Sequence, residues 1–207
     1  HDEPRAETAS PILRWILGYR DRLARAAHLV VIPQLERARR LVEDTGTKRP
    51  LEVVWNCPMK EGLSIHQVEQ RRSGDPLCIY FHGSINLARV PLALIEGARR
   101  SGVPVLLRVV GYETVGSQGS TEVLRKSAQE AGVRIETPGA VPRHEDLLLQ
   151  MEGMHVGWIA CAGNHDDPNL RDLAGASNKA FDYLSAGLVL LVSDEEAWRR
   201  IFEEPGY

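Results

Sequence analysis

From Leu77 onward, short apolar runs alternate with longer segments whose apolar residues recur at helical spacing. The runs at 77–81, 103–110, 155–160 and 188–192 are nearly continuous, rather than apolar at every second position. A strand that is apolar on both faces must be covered on both faces, and helices between parallel strands provide that cover. The sequence therefore predicts an α/β fold, a parallel sheet with helices on both faces.

The first part of the chain has a similar but shorter pattern. A helix is predicted from Pro11, a strand at 28–33, a second helix at 34–44 and a second strand at 51–55. Residues 57–75 are polar and contain prolines and glycines, which is typical of a linker. We therefore predict three regions: a helix-strand-helix-strand unit at 1–56, a linker at 57–75 and the main domain at 76–207.

Composition narrows the function classes. The net charge of −3 gives no support for a nucleic-acid partner. The cysteines Cys57, Cys78 and Cys161 are far apart and form no Cys-x-x-Cys pair, so reduced thiols in a cytoplasmic protein are expected. Seven arginines lie between Arg14 and Arg40, a pattern that fits a solvated helix face and also fits contact with an anionic membrane.

Glycines follow the predicted strands closely. Gly83, Gly111 and Gly139 each come shortly after an apolar run. In open parallel sheets, ligands bind at the carboxyl ends of the strands, and glycine lets the backbone approach a ligand there. We therefore expect a binding site at these strand ends.

Residues 177–187 combine a polar turn, a short amphipathic helix and a terminal glycine. Helix amino ends carry unpaired N–H groups and a partial positive charge, which suit a phosphate. Lys179 adds a full charge in the first turn, and Asp182 follows one turn later. A diphosphate near Lys179 with a sugar hydroxyl on Asp182 is one interpretation, and an ordinary capped helix is the other.

The same segment carries a family resemblance. Residues 178–187 read Asn-Lys-Ala-Phe-Asp-Tyr-Leu-Ser-Ala-Gly, and the chain here resembles the retaining group 1 glycosyltransferases of the GT-B fold. That family often has Pro-Asn-Lys, one residue, Phe-Glu-Tyr, two residues and Ala-Gly. Further similarities, in matching order, are Gly83 with Arg89, the strand ending at Gly111, Gly-Ala-Val-Pro at 139–142 and the strand at 156–160.

The resemblance implies a fold and a set of roles. The fold is the Rossmann-like C-terminal half of a GT-B enzyme, preceded by the end of the N-terminal domain and incomplete at its own C-terminus. Asp182 would bind the ribose, where the family usually has glutamate. Diphosphate contacts would come from Gly83, Ser84, Arg89, Ser177, Asn178 and Lys179. The base would lie against Gly111, Tyr112, Gly139 and Ala140.

Some features of the family pattern are not met. Ser84 stands where a second basic residue often occurs, and Ala174 stands where the family often has a glutamate near the transferred sugar. Catalytic residues are not assigned, because the facing half of the cleft would lie upstream of His1. His82 fits a cleft-facing residue and equally a loop histidine without function.

No metal or other cofactor is expected. His165, Asp166 and Asp167 are adjacent, so their side chains cannot easily converge on one ion. GT-B enzymes also do not generally need a metal, because basic residues and a helix amino end stabilise the leaving diphosphate.

The resemblance implies a glycosyltransferase that moves a sugar from a nucleoside diphosphate sugar to a glycan or lipid-linked saccharide. It would be metal-independent and retaining, cytoplasmic or peripheral at the inner membrane face. Two alternatives remain open: a non-catalytic nucleotide-sugar-binding or scaffold module, and a sugar-nucleotide epimerase of the same fold. An unrelated doubly wound regulator domain would leave the Asn-Lys helix unexplained. The base, the sugar, the acceptor and the oligomeric state are not predicted.

Overall fold

The computed structural model describes residues 11–58, 74–159 and 173–204. Among these, residues 11–57 and 173–177 belong to one compact unit, and the other described residues belong to a second, larger unit. Most of the predicted linker and the loop at 161–169 lie outside the described residues. The predicted domain boundaries therefore stay predictions.

The smaller unit contains two helices and a pair of parallel strands. Its elements are α1 (Pro11–Ala26), β1 (Val30–Ile32), α2 (Leu35–Thr45) and β2 (Leu51–Val53), with β1 beside β2. Helix α2 begins where the Gln34 side chain accepts a hydrogen bond from the Arg37 amide, and it ends at Gly46 in the left-handed conformation. The Thr47 hydroxyl donates to the Ala24 carbonyl at 2.6 Å, which fixes the chain after α2 against α1.

The larger unit is built on five parallel strands in the order β5-β4-β3-β6-β7. Its strands are β3 (Leu77–Ile85), β4 (Val105–Glu113), β5 (Arg134–Gly139), β6 (Val156–Trp158) and β7 (Val189–Leu191). Its helices are α3 (Leu92–Arg100), α4 (Ser120–Ala131), α5 (His144–Leu149), α6 (Asn178–Ser185) and α7 (Glu196–Trp198), the last continued by a π-helical turn at Arg199–Glu203. The predicted parallel sheet is confirmed.

The core of this unit explains why its strands are continuous apolar runs. Strands β3 and β4 contribute Ile79, Phe81, Leu107 and Val109, which pack with buried residues of helices α3 and α4. Alternate residues such as Tyr80 and Val110 are also fully buried, so both faces of the central strands are covered. This two-sided burial is what the apolar runs predict.

The central strands are longer than predicted. Strand β3 runs to Ile85 and β4 runs to Glu113, because the ladder continues through Gly83 opposite Gly111 to the last pair. The glycines therefore lie inside the strand ends and not in loops. They mark a close approach between two backbones, which a pattern of apolar residues does not reveal.

Helix α3 begins at Leu92, and Pro91 is its extended N-cap residue with ψ of 149°. The residues before it form a separate turn, in which the Asn86 side chain accepts hydrogen bonds from the Ala88 and Arg89 amides. No helix in the described ranges is both long enough and apolar enough to cross a membrane.

Candidate functional site

The sheet order defines where a ligand would enter. From the central strand β3 the chain moves outward to β4 and β5, and it then returns to add β6 and β7 on the other side. Sheets of this order bind ligands at the point where the direction reverses, beyond the carboxyl ends of the strands. Here that point lies between β3 and β6, and helix α6 leads into β7.

Two paired glycines shape the end of β3. Gly83 and Gly111 face each other across β3 and β4, with φ values of 120° and 151°. A Cβ atom on Gly111 would lie 1.8 Å from the Gly83 carbonyl oxygen, and one on Gly83 would lie 2.8 Å from Lys179 Cε. Gly111 therefore requires glycine, because the obstacle is backbone. At Gly83 the positive φ disfavours a side chain, and the surface of β3 there is occupied by the Lys179 side chain.

Lys179 brings a cation to this strand end from the first turn of α6. Its Nζ lies 5.5 Å from the centre of the Phe81 ring, a cation–π distance. A cation near a helix amino end opposes the helix dipole, whereas an anion bound there is stabilised by the dipole and by the lysine. The arrangement therefore suits an anionic ligand group.

Asp182 lies one helical turn after Lys179 and is buried. Its Oδ2 is 3.4 Å from His82 Nε2, and its Oδ1 is 3.2 Å from His144 Nε2. An ionised carboxylate only accepts hydrogen bonds, so each imidazole must present its Nε2–H to it. The two contacts compensate for burying the carboxylate.

His82 is the deeply buried partner of Asp182. Burial lowers the pKa of His82 and Lys179 acts in the same direction, while the hydrogen bond to Asp182 opposes both. The ring centre is 5.1 Å from that of Tyr183, which meets it edge-on. Its Nδ1 is buried without a hydrogen-bond partner in the part of the chain that the structure describes. His82 is thus a buried imidazole fixed beside the carboxylate, and its burial disfavours the charged form.

Tyr183 attaches helix α6 to both strands at the switch point. Its hydroxyl accepts a hydrogen bond from the His82 amide at 3.2 Å and donates one to the Trp158 carbonyl at 3.3 Å. Burial raises the pKa of Tyr183 well above its ordinary value. A Cβ atom on Gly157 would lie 2.2 Å from Tyr183 Cδ2, so the ring also needs a glycine on β6.

The Arg89 backbone is held in the turn after β3. Its amide donates to Asn86 Oδ1 at 2.9 Å, and its carbonyl accepts a hydrogen bond from Trp158 Nε1 at 2.8 Å. The residue is half-buried. Its backbone is therefore fixed by β6 and by the turn, which is a suitable base for a side chain that contacts a ligand.

The residues predicted to meet the base lie farther along the sheet. Tyr112 is 58% exposed, so its ring does not pack into the core of its own unit. Gly139 ends β5 with φ of 92°, and an added Cβ would meet nothing within 4 Å. Ala140 is exposed. This side consequently offers backbone groups and one exposed aromatic ring.

The remaining predicted residues are distributed as follows. Ser84 lies half-buried in β3 opposite Tyr112. Asn178 is exposed at the start of α6, while Ser177 and Ala174 are buried members of the smaller unit. The structure therefore brings Gly83, Lys179 and Asp182 together in the larger unit. The ligand roles of all these residues stay predictions.

Sequence reasoning missed His144 and Tyr183, and it left His82 undecided. His144 lies outside the family motif, and its contact with Asp182 depends on how helix α5 packs. Tyr183 belongs to the motif, but nothing in the sequence indicates that its hydroxyl joins two strands. The one signal for His82 is a polar residue at the end of an otherwise apolar strand.

Among the described residues there is no group of three histidine, cysteine or acidic side chains placed to hold a metal ion. The two imidazoles each point at an oxygen of Asp182 and not at a common point. The segment His165–Asp167 lies outside the described residues, so the expectation that it binds no metal stays a prediction.

No protein-family model matches this sequence, and no curated protein matches it. Solved structures do match it. One is Alr3699/HepE from Anabaena in complex with UDP, with a TM-score of 0.59 and 13% identity over 97% of this chain and 53% of that chain. Another is the apo form of the lipopolysaccharide outer core galactosyltransferase WaaB, with a TM-score of 0.53 and 12% identity over 88% of this chain and 62% of that one.

A third match is the α,α-trehalose 6-phosphate synthase from Burkholderia multivorans, with a TM-score of 0.55 and 12% identity over 93% of this chain and 50% of that one. The chain thus spans less than two thirds of the length of each of these proteins. At such identities the matches establish the fold. The chain has a Rossmann-like α/β fold similar to that of these proteins, as its sequence predicts.

Proposed function

We propose that this chain is the donor-binding part of a glycosyltransferase that uses a nucleoside diphosphate sugar. The observation that carries the proposal is the meeting of Lys179, Gly83 and the buried Asp182 at the switch point of the sheet. The fold neighbour HepE, which has been solved with UDP and with UDP-glucose, supports it.

The proposed diphosphate lies at the amino end of α6. Lys179 supplies a full positive charge, and the amino end of the helix adds the partial positive charge of its dipole. Arg89 and Ser84, from the β3 side, are proposed as further contacts. Asn178 and Ser177 are proposed contacts on sequence grounds, since they precede Lys179 directly.

The nucleoside would extend from Asp182 toward the outer strands. Asp182 accepts a hydrogen bond from a ribose hydroxyl, for which its oxygens have lone pairs left beside the imidazole contacts. The base then lies against Gly111, Tyr112, Gly139 and Ala140. Two of these four residues are glycines and one is alanine, so backbone groups would dominate base recognition.

The proposed chemistry is glycosyl transfer without a metal ion and with retention of configuration. Cleavage of the bond between the sugar and the diphosphate passes through an oxocarbenium-like transition state and leaves negative charge on the diphosphate. Lys179, Arg89 and the α6 amino end stabilise that charge electrostatically. Groups that act on the acceptor are proposed to lie outside this chain, so the chain by itself is expected to bind the donor without turning it over.

The proposed acceptor is a glycan or a lipid-linked saccharide, and the proposed location is the cytoplasm or its membrane surface. Helix α1 carries exposed apolar side chains, including Trp15 at 65% and Tyr19 at 49%, together with several arginines. This composition supports peripheral contact with an anionic membrane. Co-sedimentation with vesicles containing anionic lipid tests that contact, and vesicles of neutral lipid are the control.

Calorimetry with uridine, guanosine and adenosine diphosphates tests the proposed function directly. We expect the folded protein to bind at least one of them more tightly than it binds inorganic pyrophosphate. Folding is checked independently by circular dichroism and by a cooperative thermal transition. A folded protein that binds none of the three contradicts the proposal.

Asp182→Ala separates the ribose contact from the diphosphate contact. The variant should bind the nucleoside diphosphate about tenfold or more weakly, because a hydrogen bond to a charged group contributes about 1.5–3 kcal/mol to binding. Pyrophosphate, which has no ribose, should bind as before. Asp194→Ala is a matched control, because that aspartate is exposed and pairs with Arg199 in the same unit. Equal losses for both ligands in Asp182→Ala would refute the ribose role.

A further inference from the structure

His82 contacts the buried Asp182 from the end of strand β3. Its Nε2 lies 3.4 Å from Asp182 Oδ2, and the two side chains are 8% and 9% exposed. His144 contacts the other carboxylate oxygen, but its side chain is 53% exposed, so water competes with that contact. The contact with His82 is therefore the one that is shielded from water, and such shielding strengthens an electrostatic contact.

The backbone of His82 is tied to helix α6 as well. Its amide donates a hydrogen bond to the Tyr183 hydroxyl, and its ring meets the Tyr183 ring edge-on at 5.1 Å. The Lys179 side chain lies beside Phe81 and Gly83, the two residues that flank His82 in β3. His82 thus stands where the strand end that receives Lys179 meets the helix.

Stability does not account for a histidine at this position. Because Nε2 faces a carboxylate that only accepts, Nδ1 is left as a lone pair, and it is buried without a hydrogen-bond partner among the described residues. A buried acceptor without a partner costs free energy, and a buried polar pair is often no more stable than apolar side chains of similar volume. A ring without nitrogen atoms beside Tyr80 and Tyr183 would carry neither cost.

What the histidine adds is control over the plane of the carboxylate. A carboxylate turns about the single bond to its Cβ atom, and contacts on both oxygens fix that rotation. His82 reaches Oδ2 from β3 and His144 reaches Oδ1 from α5, so two separate elements hold Asp182. Without His82, the carboxylate would keep only the contact that water can loosen, and its lone pairs would no longer point in a fixed direction.

We propose that His82 is a positioning residue for ribose recognition, because it fixes the carboxylate of Asp182 in the orientation that a ribose hydroxyl meets. This rests on the proposed function, since it explains how the ribose contact assigned there is held. The effect of His82 on the ligand is indirect and passes through Asp182.

The test compares His82→Phe and His82→Gln with the parent protein by calorimetry at about pH 8, above the range in which histidine usually titrates. Phenylalanine keeps an aromatic ring and removes the donor, whereas glutamine keeps an N–H donor. The first ligand is whichever of uridine, guanosine or adenosine diphosphate the parent binds most tightly. The second is its 2′,3′-dideoxy counterpart, which differs from it only in the ribose hydroxyls.

Ile79→Val is the matched control. Ile79 is buried in the same strand, but the alternation of side chains places it on the other face of the sheet, where it packs in the core with helices α3 and α4. The control therefore loosens the packing of β3 without touching Asp182. It should leave the ratio of the two affinities unchanged.

We expect His82→Phe to bind the ribose form roughly fivefold more weakly, because a carboxylate that is no longer oriented loses about one hydrogen bond to the hydroxyl. The same variant should bind the dideoxy form as the parent does. His82→Gln should recover part of the lost affinity. In a protein that already carries Asp182→Ala, His82→Phe should cause no further loss, because its effect passes through that carboxylate.

A second measurement uses the unaltered protein and does not depend on how a variant folds. Nuclear magnetic resonance of protein with isotope-labelled histidine reports which ring nitrogen of each histidine carries the proton. The proposal requires the His82 ring to be protonated at Nε2 and bare at Nδ1, since Nε2 is the atom that faces Asp182. A ring protonated only at Nδ1 would overturn it.

The other outcomes separate the His82 proposal from the proposed function. An equal loss for both ligands in His82→Phe would assign the residue a structural role only, and unchanged binding would make it a bystander. A further loss in the double variant would make it a direct ligand contact. Each of these results overturns the His82 proposal while the proposed function stands. If the folded parent binds none of the three nucleoside diphosphates, both are overturned.

Discussion

The two sides of the strand-end surface are built differently. On the β3–α6 side, Asp182, His82 and Tyr183 are buried and joined by hydrogen bonds. On the β4–β5 side, Tyr112 is exposed, and Gly139 has free space where a side chain would be. The first side is held by packing, whereas the second is an open surface.

This difference indicates which part of a ligand each side can select. Charge and hydroxyl recognition need fixed polar groups, and the buried Asp182 and His82 of the β3–α6 side are such groups. The open side offers a flat ring and backbone groups, which accept many bases. Stability and ligand selectivity should therefore be sensitive to mutation on the first side and tolerant of it on the second.

The largest expected effect comes from Gly111→Ala compared with Gly139→Ala. Both glycines have a positive φ, but only Gly111 has a neighbouring carbonyl in the way. We expect Gly111→Ala to lower the free energy of unfolding by about 3 kcal/mol or more, from strain plus overlap, and Gly139→Ala by about 1 kcal/mol, from strain alone. Denaturant unfolding measures both, and equal losses would show that the Gly83 carbonyl does not obstruct a side chain at Gly111.

Tyr183→Phe should have the next largest effect. The variant keeps the ring but removes the hydroxyl, so the buried His82 amide loses its acceptor. We expect a loss of about 1–2 kcal/mol in unfolding free energy and faster hydrogen exchange at the His82 amide. Tyr112→Phe is the control on the open side and should change nothing. An unchanged exchange rate at His82 in Tyr183→Phe would contradict the hydrogen bond.

The buried histidine should make stability depend on pH. Because burial lowers the pKa of His82 in the folded protein, the unfolded chain binds a proton more readily. This pKa difference contributes to the free energy of unfolding. The contribution is fully present above the ordinary histidine pKa of about 6.5, and it is lost as the pH falls toward the lower pKa of His82 in the folded protein. One proton limits the slope to about 1.4 kcal/mol per pH unit. Denaturant unfolding of the protein and of His82→Phe across this range measures the difference, and identical slopes would refute it.

The smallest stability effect is expected for Tyr112→Ala. Because the ring is exposed, the unfolding free energy should change by no more than about 0.5 kcal/mol. Any loss of nucleoside diphosphate binding would then be due to the base, and it should be absent for pyrophosphate. A stability loss above 1 kcal/mol would show that Tyr112 packs on its own unit and is not open.

The sequence was sufficient to predict the parallel sheet, because two-sided burial leaves continuous apolar runs. It also predicted that Lys179 and Asp182 lie one turn apart, because helical spacing fixes that relation. It could not predict that β3 continues through Gly83, since a glycine reads equally as a strand end or a loop. Nor could it predict His144 beside Asp182, because that contact depends on how two helices distant in sequence pack against one sheet.

The pairing of Gly83 with Gly111 limits how this sequence can diverge. A side chain at Gly111 would push away the Gly83 carbonyl, and that shift would move the surface on which Lys179 rests. Replacing Gly83 would not relieve this overlap, because the obstructing carbonyl belongs to the backbone and every residue has one. Position 111 is therefore expected to accept only glycine in any variant that keeps β3 and β4 paired to their ends.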